Sequence, residues 1–160
     1  MAFNMDNRRK PFRAQKDEFQ EQVLDLRRVT RVVAGGKRFR FRVTVAVGDG
    51  KGRVGVGVAK GSDVAQAVDK AKIAAKKEMI RVPIKNGTIP HEVTAKFSAA
   101  RVLLRPARKG NGLLAGGAVR TVLALAGVSD ITAKCLGTTK NKLTNALATI
   151  EALKKIKPAE

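Results

Sequence analysis

From Lys37 to Val47 hydrophobic and polar positions alternate. Phe39, Phe41, Val43, Val45 and Val47 fall on one side of an extended chain, and Arg38, Arg40, Arg42, Thr44 and Ala46 on the other. This predicts a strand that gives one face to a core and offers arginine on the other to solvent or a ligand. Asp49-Gly50 and Gly52 predict a turn, and RVGVGVAK returns as a second strand. In it Val54, Val56 and Val58 oppose Arg53, Gly55, Gly57 and Ala59. Glycine in a strand is tolerated where another backbone comes close. The smooth glycine face, beside the arginine-studded one, is therefore expected to accept a phosphate backbone. Upstream, EQVLDLRRVTRVV forms a short element that runs into Gly35-Gly36.

Helical spacing follows. Ser62 is expected as N-cap with Asp63 in the first turn, and Val64, Ala67, Val68, Ala71, Ala74 and Ala75 carry an apolar stripe to about Met79. RVPIK, the turn Asn86-Gly87 and HEVTAKF predict another hairpin, followed by the strand ARVLLRPA. The glycine-rich loop RKGNGLLAGG opens a helix with Val119, Val122, Leu123 and Ala126 inward, closed by Gly127. A short strand, VSDITAKCL, precedes a last helix from about Lys142, striped by Leu143, Ala146, Leu147, Ile150 and Leu153. The pattern predicts an α+β fold without internal repeats. Its expected divisions are a basic arm at 1–20, a sheet-plus-helix unit at 21–84, a second α+β unit at 85–157 and a tail at 158–160. Arg8, Arg9, Lys10 and Arg13 of the arm either follow phosphates or are simply solvated.

Charge changes the picture. The 160 residues carry 33 Lys and Arg against 13 Asp and Glu, a formal net charge of +20. Like charge at that density opposes compactness, and a polyanion partner is its commonest reason. It also falls in blocks. Between Arg27 and Lys60 stand Arg27, Arg28, Arg31, Lys37, Arg38, Arg40, Arg42, Lys51, Arg53 and Lys60 against the single acid Asp49. Between Val93 and Ser129 stand Lys96, Arg101, Arg105, Arg108, Lys109 and Arg120 against no acid. A merely solubilising surface mixes signs. With six Phe and no Trp or Tyr, the chain is poorly equipped to stack single-stranded bases, so phosphate and sugar are the expected contacts.

Catalytic material is thin. Cys135 is the only cysteine and His91 the only histidine, which excludes an internal disulfide and cannot complete a zinc site. Cys135 reads as a small apolar core position, and His91 beside Glu92 as structural. GNGLLAGG lacks the spacing of a dinucleotide fingerprint, and its glycine amides suit a nucleic-acid phosphate or a partner protein better. GDGKGRVGVGVAKG lacks the GK[ST] ending of a P-loop and reads as a hairpin. No apolar run approaches membrane-spanning length and no hydrophobic leader opens the chain, so a cytosolic protein without cofactor, metal or small-molecule substrate is expected.

Four strings in order, RVTRVVAGGKRFRF, VGDGKGRVGVGVAK, PIKNGTIPHEV and GNGLLAGGAVRTVLALAGVSDI, closely resemble the bacterial small-subunit ribosomal protein five family, and ATIEAL extends the match to about Leu153. The resemblance implies an N-terminal domain of double-stranded-RNA-binding type. It implies a C-terminal α+β domain of the kind typical of the family's second domain, a fold shared with several ATPase and kinase domains but lacking their nucleotide machinery. It further implies a structural protein, not an enzyme, that binds small-subunit rRNA and contacts small-subunit ribosomal proteins four and eight. Such a protein sits where body meets head near the mRNA entry channel and influences decoding accuracy.

By position, Thr30 to Arg38 match the family's tip loop, on which spectinomycin sensitivity depends. Arg27, Arg28 and Arg31 match the basic stretch at the messenger entrance, and Gly112 to Arg120, including Gly116 and Gly117, the region facing protein four. Gly35, Gly36, Lys37, Arg38, Arg40, Arg42, Lys51, Arg53, Lys60, Arg105 and Lys109 complete the expected rRNA contacts. Gly35-Gly36 is expected to need positive φ or a close approach to RNA. Two departures stand out: Ala34 replaces a basic residue found in many members, and Asn141-Lys142 replaces Asn-Pro, so the last helix is expected to start differently. Two rival readings are a free double-stranded-RNA-binding regulator and a small phosphotransferase using the 110–117 loop.

Overall fold

The structure is a computed structural model that describes residues 18–157. The basic residues of the expected arm, Arg8 to Arg13, and the tail 158–160 lie outside the described residues.

Four antiparallel strands form the first sheet, in the order β1 (Gln20–Val33), β2 (Gly36–Gly48), β3 (Arg53–Gly61), β4 (Ile80–Arg81). Gln20, the last residue of the expected arm, already belongs to β1. Gln20 pairs with Gly48, and the Phe19 ring lies under Arg53 (5.3 Å) and Lys76 (5.4 Å). Helix α1 (Val64–Lys77) covers one face of this sheet. Its cap is Asp63 rather than Ser62: the Asp63 carboxylate accepts the Ala65 amide at 3.3 Å, while the Ser62 hydroxyl bonds Gln66 Oε1 at 3.0 Å. A carboxylate at that position also favours the positive end of the helix dipole.

The helix lies close to the strands because both sides are small. Ala67, Ala71 and Ala75 are fully buried against Val43, Val45 and Val47. The registers Val45↔Gly57 and Val47↔Gly55 put the β3 glycines on this same face. A Cβ on Gly57 would run into the Ala71 carbonyl and stand 3.0 Å from Ala75 Cα; one on Gly55 would meet the Ala75 carbonyl. This corrects the expectation that the glycine face accepts phosphate, because helix backbone occupies it.

The opposite face is also divided. Ala46, Val54 and Val56 are buried in the larger core, which continues into the second sheet and its helices. Thr44 and Ala46, expected on a free arginine face, are therefore covered, whereas Arg38 and Arg40 stay open. Phe39, expected inward, is 50% exposed because α1 does not reach that far along β2.

The second sheet has the order β5 (Val93–Phe97), β6 (Ala100–Pro106), β8 (Ile131–Cys135), β7 (Leu113–Leu114), with β7 and β8 parallel. Helices α2 (Gly117–Ala126) and α3 (Lys142–Lys154) supply its core. The hairpin expected from RVPIK and HEVTAKF does not form. Asn86-Gly87 does make a tight turn, with Lys85 and Thr88 exchanging backbone hydrogen bonds of 3.0 and 3.1 Å. Beyond it Pro83 and Pro90 lack the N–H groups a ladder needs. Ile80 and Arg81 instead join the first sheet, and β5 pairs with β6. Gly127 (φ 86°) ends α2 as expected. Asn141 caps α3, accepting the Leu143 amide at 3.2 Å, so the helix starts at Lys142 without a proline.

Candidate nucleic-acid interface

Register decides which cations share a surface. Across β1 and β2 the partners are Arg27↔Arg42, Val29↔Arg40 and Arg31↔Arg38; across β2 and β3, Arg42 pairs with Lys60. Directly opposed residues point to the same side of a sheet. Arg27, Arg31, Arg38, Arg40, Arg42 and Lys60 therefore form one face, with Arg27, Arg42 and Lys60 in a row across three strands. Only Arg27 has a carboxylate partner among the described residues, Asp25 at 2.7 Å. The face begins where the second core stops: Arg27, Arg42 and Thr44 border Asn141 and Leu143 at the start of α3. Toward the hairpin tip it opens into a cleft lined by residues that include Val29, Arg31, Val33, Arg38, Arg40 and Lys60.

The other expected residues are distributed elsewhere. Arg28 (opposite Phe41) and Lys37 (opposite Val32) belong to the reverse side of the hairpin, where the Arg28 guanidinium lies 4.7 Å from the Phe39 ring centroid. The sequence run Arg27-Arg28 is thus split between two surfaces. Gly35 and Gly36 form the tip; Gly36 has φ 130°, a region that L side chains rarely adopt, and Gly35 has open space around it.

Lys51 and Arg53 sit at the far end of β2, around Asp49. The Asp49 carboxylate accepts the Lys51 amide (2.8 Å), the Arg53 amide (2.9 Å) and Arg53 Nε (2.7 Å). Burial pushes its pKa up, but these hydrogen bonds and the Arg53 charge outweigh burial and bring it from 3.8 to about 2. Arg53 there serves the turn.

The 110–117 loop is closed from inside. Asp130, itself buried, accepts the Gly110 amide at 3.0 Å and the Gly112 amide at 2.9 Å. The Gly112 hydrogen bond does most to hold its carboxyl below the usual range. These two amides are therefore not offered to a phosphate, which removes the main support for a nucleotide-handling loop. Lys109 flanks this carboxylate. Arg120, on the first turns of α2, donates to the Leu113 carbonyl at 3.2 Å, and Gly116 and Gly117 are exposed beside it.

The basic block read between Val93 and Ser129 contributes a second cationic face, with one member from outside the block. The registers Lys96↔Arg101, Leu103↔Lys134 and Arg105↔Thr132 place Lys96, Arg101, Arg105 and Lys134 together on the side of the second sheet away from its helices. Arg105 is paired with Glu92 at 2.8 Å, and the hydrogen bond to that carboxylate raises its pKa. Lys134 could not be assigned to this group from sequence, because only the non-consecutive pairing of β6 with β8 brings it in.

Among the described residues, two sheets, three helices and two carboxylate-poor cationic faces make up an α+β protein whose charge suits a polyanion. The model of ribosomal protein S5, N-terminal domain, matches residues 19–83, and that of ribosomal protein S5, C-terminal domain, matches residues 95–160. The chain belongs to the ribosomal protein S5 family: it is a structural, rRNA-binding protein of the small ribosomal subunit.

Proposed function

We propose that this protein braces the junction of body and head in the small subunit, beside the mRNA entry channel, and thereby influences translational accuracy, working in the cytoplasm without enzymatic activity. The β1–β2 hairpin extends beyond the part of the sheet that α1 covers, and its cationic face reaches toward rRNA. Arg27, Arg31, Arg38, Arg40, Arg42 and Lys60 meet phosphates there. Arg28 and Lys37, on the reverse side, contact a different strand or the incoming mRNA. The exposed start of α2, with Gly112, Gly116, Gly117 and Arg120, faces small-subunit ribosomal protein four, and protein eight is a further neighbour. Arg105 and Lys109 carry the rRNA contact to the second half of the molecule.

The observation that carries this reading is the row Arg27, Arg42 and Lys60 across three strands, continued by Arg31, Arg38 and Arg40. Cations placed opposite one another repel, and phosphates between them remove that cost. Sucrose-gradient sedimentation of tagged protein, with RNase and high-salt controls, tests the assignment. Co-migration with small subunits through a moderate-salt wash is expected; a free, light peak would overturn it.

A further inference from the structure

The cationic face is not flat. Near the hairpin tip it sinks into a cleft of about 480 Å³, within the roughly 300–1,000 Å³ of sites that enclose small organic ligands. The half-buried side chains of Val29 and Val33 give it apolar surface. The exposed cations Arg31, Arg38, Arg40 and Lys60 also line it, and no hydrogen bond or ion pair to another side chain is found for them among the described residues. A duplex backbone lying across a sheet needs charge but neither depth nor apolar surface. A single nucleotide needs all three: apolar contact for the base plane, planar guanidinium groups to stack on it, and cations for its phosphate.

We propose that this cleft receives one unstacked nucleotide, extruded from the RNA that lies on the face. The inference rests on the reading of that face as an rRNA surface. The base lies against Val29 and Val33 under an arginine, and its flanking phosphates are held by the remaining cations. Shape recognition is thereby directed at a bulge or a helix junction rather than at a regular duplex, which offers no free base.

The test uses the full chain and three probes: an RNA hairpin with one bulged nucleotide (2-aminopurine), the same hairpin fully paired, and a free nucleoside monophosphate. The bulged hairpin should bind roughly fivefold or more tightly than the paired one, and the 2-aminopurine emission should change on binding. Val29→Arg fills the cleft while adding a cation, so it should bring the ratio of the two affinities to about one. Equal affinity of the wild-type protein for both hairpins, with unchanged emission, would overturn the nucleotide site while leaving the rRNA surface standing. Salt-insensitive or absent binding of both would remove that surface, and the site with it. Displacement of the bulged hairpin by the free monophosphate at sub-millimolar concentration would assign the cleft to a free nucleotide and also overturn the proposal.

Discussion

Arg31 and Arg38 stand directly opposite each other across the β1–β2 ladder, on the same side of the sheet, with no carboxylate bonded to either among the described residues. Like charges in that position destabilise a hairpin. The free protein therefore keeps a repulsion that its RNA relieves. Arg38→Glu turns the pair into an opposite-charge pair, so it should stabilise the free protein by about 0.2–1 kcal/mol while weakening RNA binding. Urea unfolding and filter binding on the same variant check both signs. Loss of stability together with loss of binding would mean that Arg38 has a structural role instead.

Gly57 sets the distance between α1 and the first sheet. A methyl group there points into the helix backbone at Ala71 and Ala75. Gly57→Ala should cost about 1–3 kcal/mol, read as a lower urea midpoint, and should shift the amide resonances of Ala71 and Ala75. Gly35→Ala, where nothing lies within 4 Å, should leave the midpoint nearly unchanged.

Gly36 has a conformational requirement instead. At φ 130° with open space around it, a side chain is strained by the backbone and not by neighbours. Gly36→Val should cost about 1–3 kcal/mol locally, raise hydrogen exchange at Val32 to Lys37 and leave exchange in α3 unchanged. In cells it should slow small-subunit assembly or alter decoding.

Asp49 predicts a pH dependence. Its carboxyl lies at about 2 in the folded chain against 3.8 ordinarily, a lowered value. The stabilisation is therefore fully present above the ordinary value and is lost as pH falls toward 2. Asp49→Asn removes it. The gap in stability between the parent protein and the variant should be widest above about pH 4 and narrow toward pH 2. A gap independent of pH would show that the turn depends on shape rather than charge.

Much of this was readable in the residues. Period two from Arg38 to Val47 gave β2, and the alanine stripe gave α1, because a half-buried strand and an amphipathic helix each leave their period in the sequence. What such periods do not carry is the partner of each face. Val43 and Ala46 are both fully buried, one by α1 and the other by the second core, so alternation there does not separate inside from outside. The β3 glycines looked like an open surface because glycine signals a close approach without naming what approaches. Asn86-Gly87 was correctly a turn, but prolines on both sides prevented its hairpin. The candidate site was readable as charge and not as a surface. Strand alternation separates Arg28 from Arg27 once the segment is known to be β1, but only register brings Lys60 to Arg42, and only the β6–β8 pairing adds Lys134 to Arg101 and Arg105.

The most direct measurement is the salt dependence of binding between the full chain and a small-subunit rRNA domain, for the parent protein and for a variant with Arg31, Arg38 and Arg40 all changed to Gln. With Arg31, Arg38, Arg40, Arg42 and Lys60 meeting phosphates, log K should fall against log salt with a slope of about −4 or steeper. The variant should be shallower by about 2 to 3. Identical slopes for the two proteins would place the phosphate contacts elsewhere and contradict the assignment of this face.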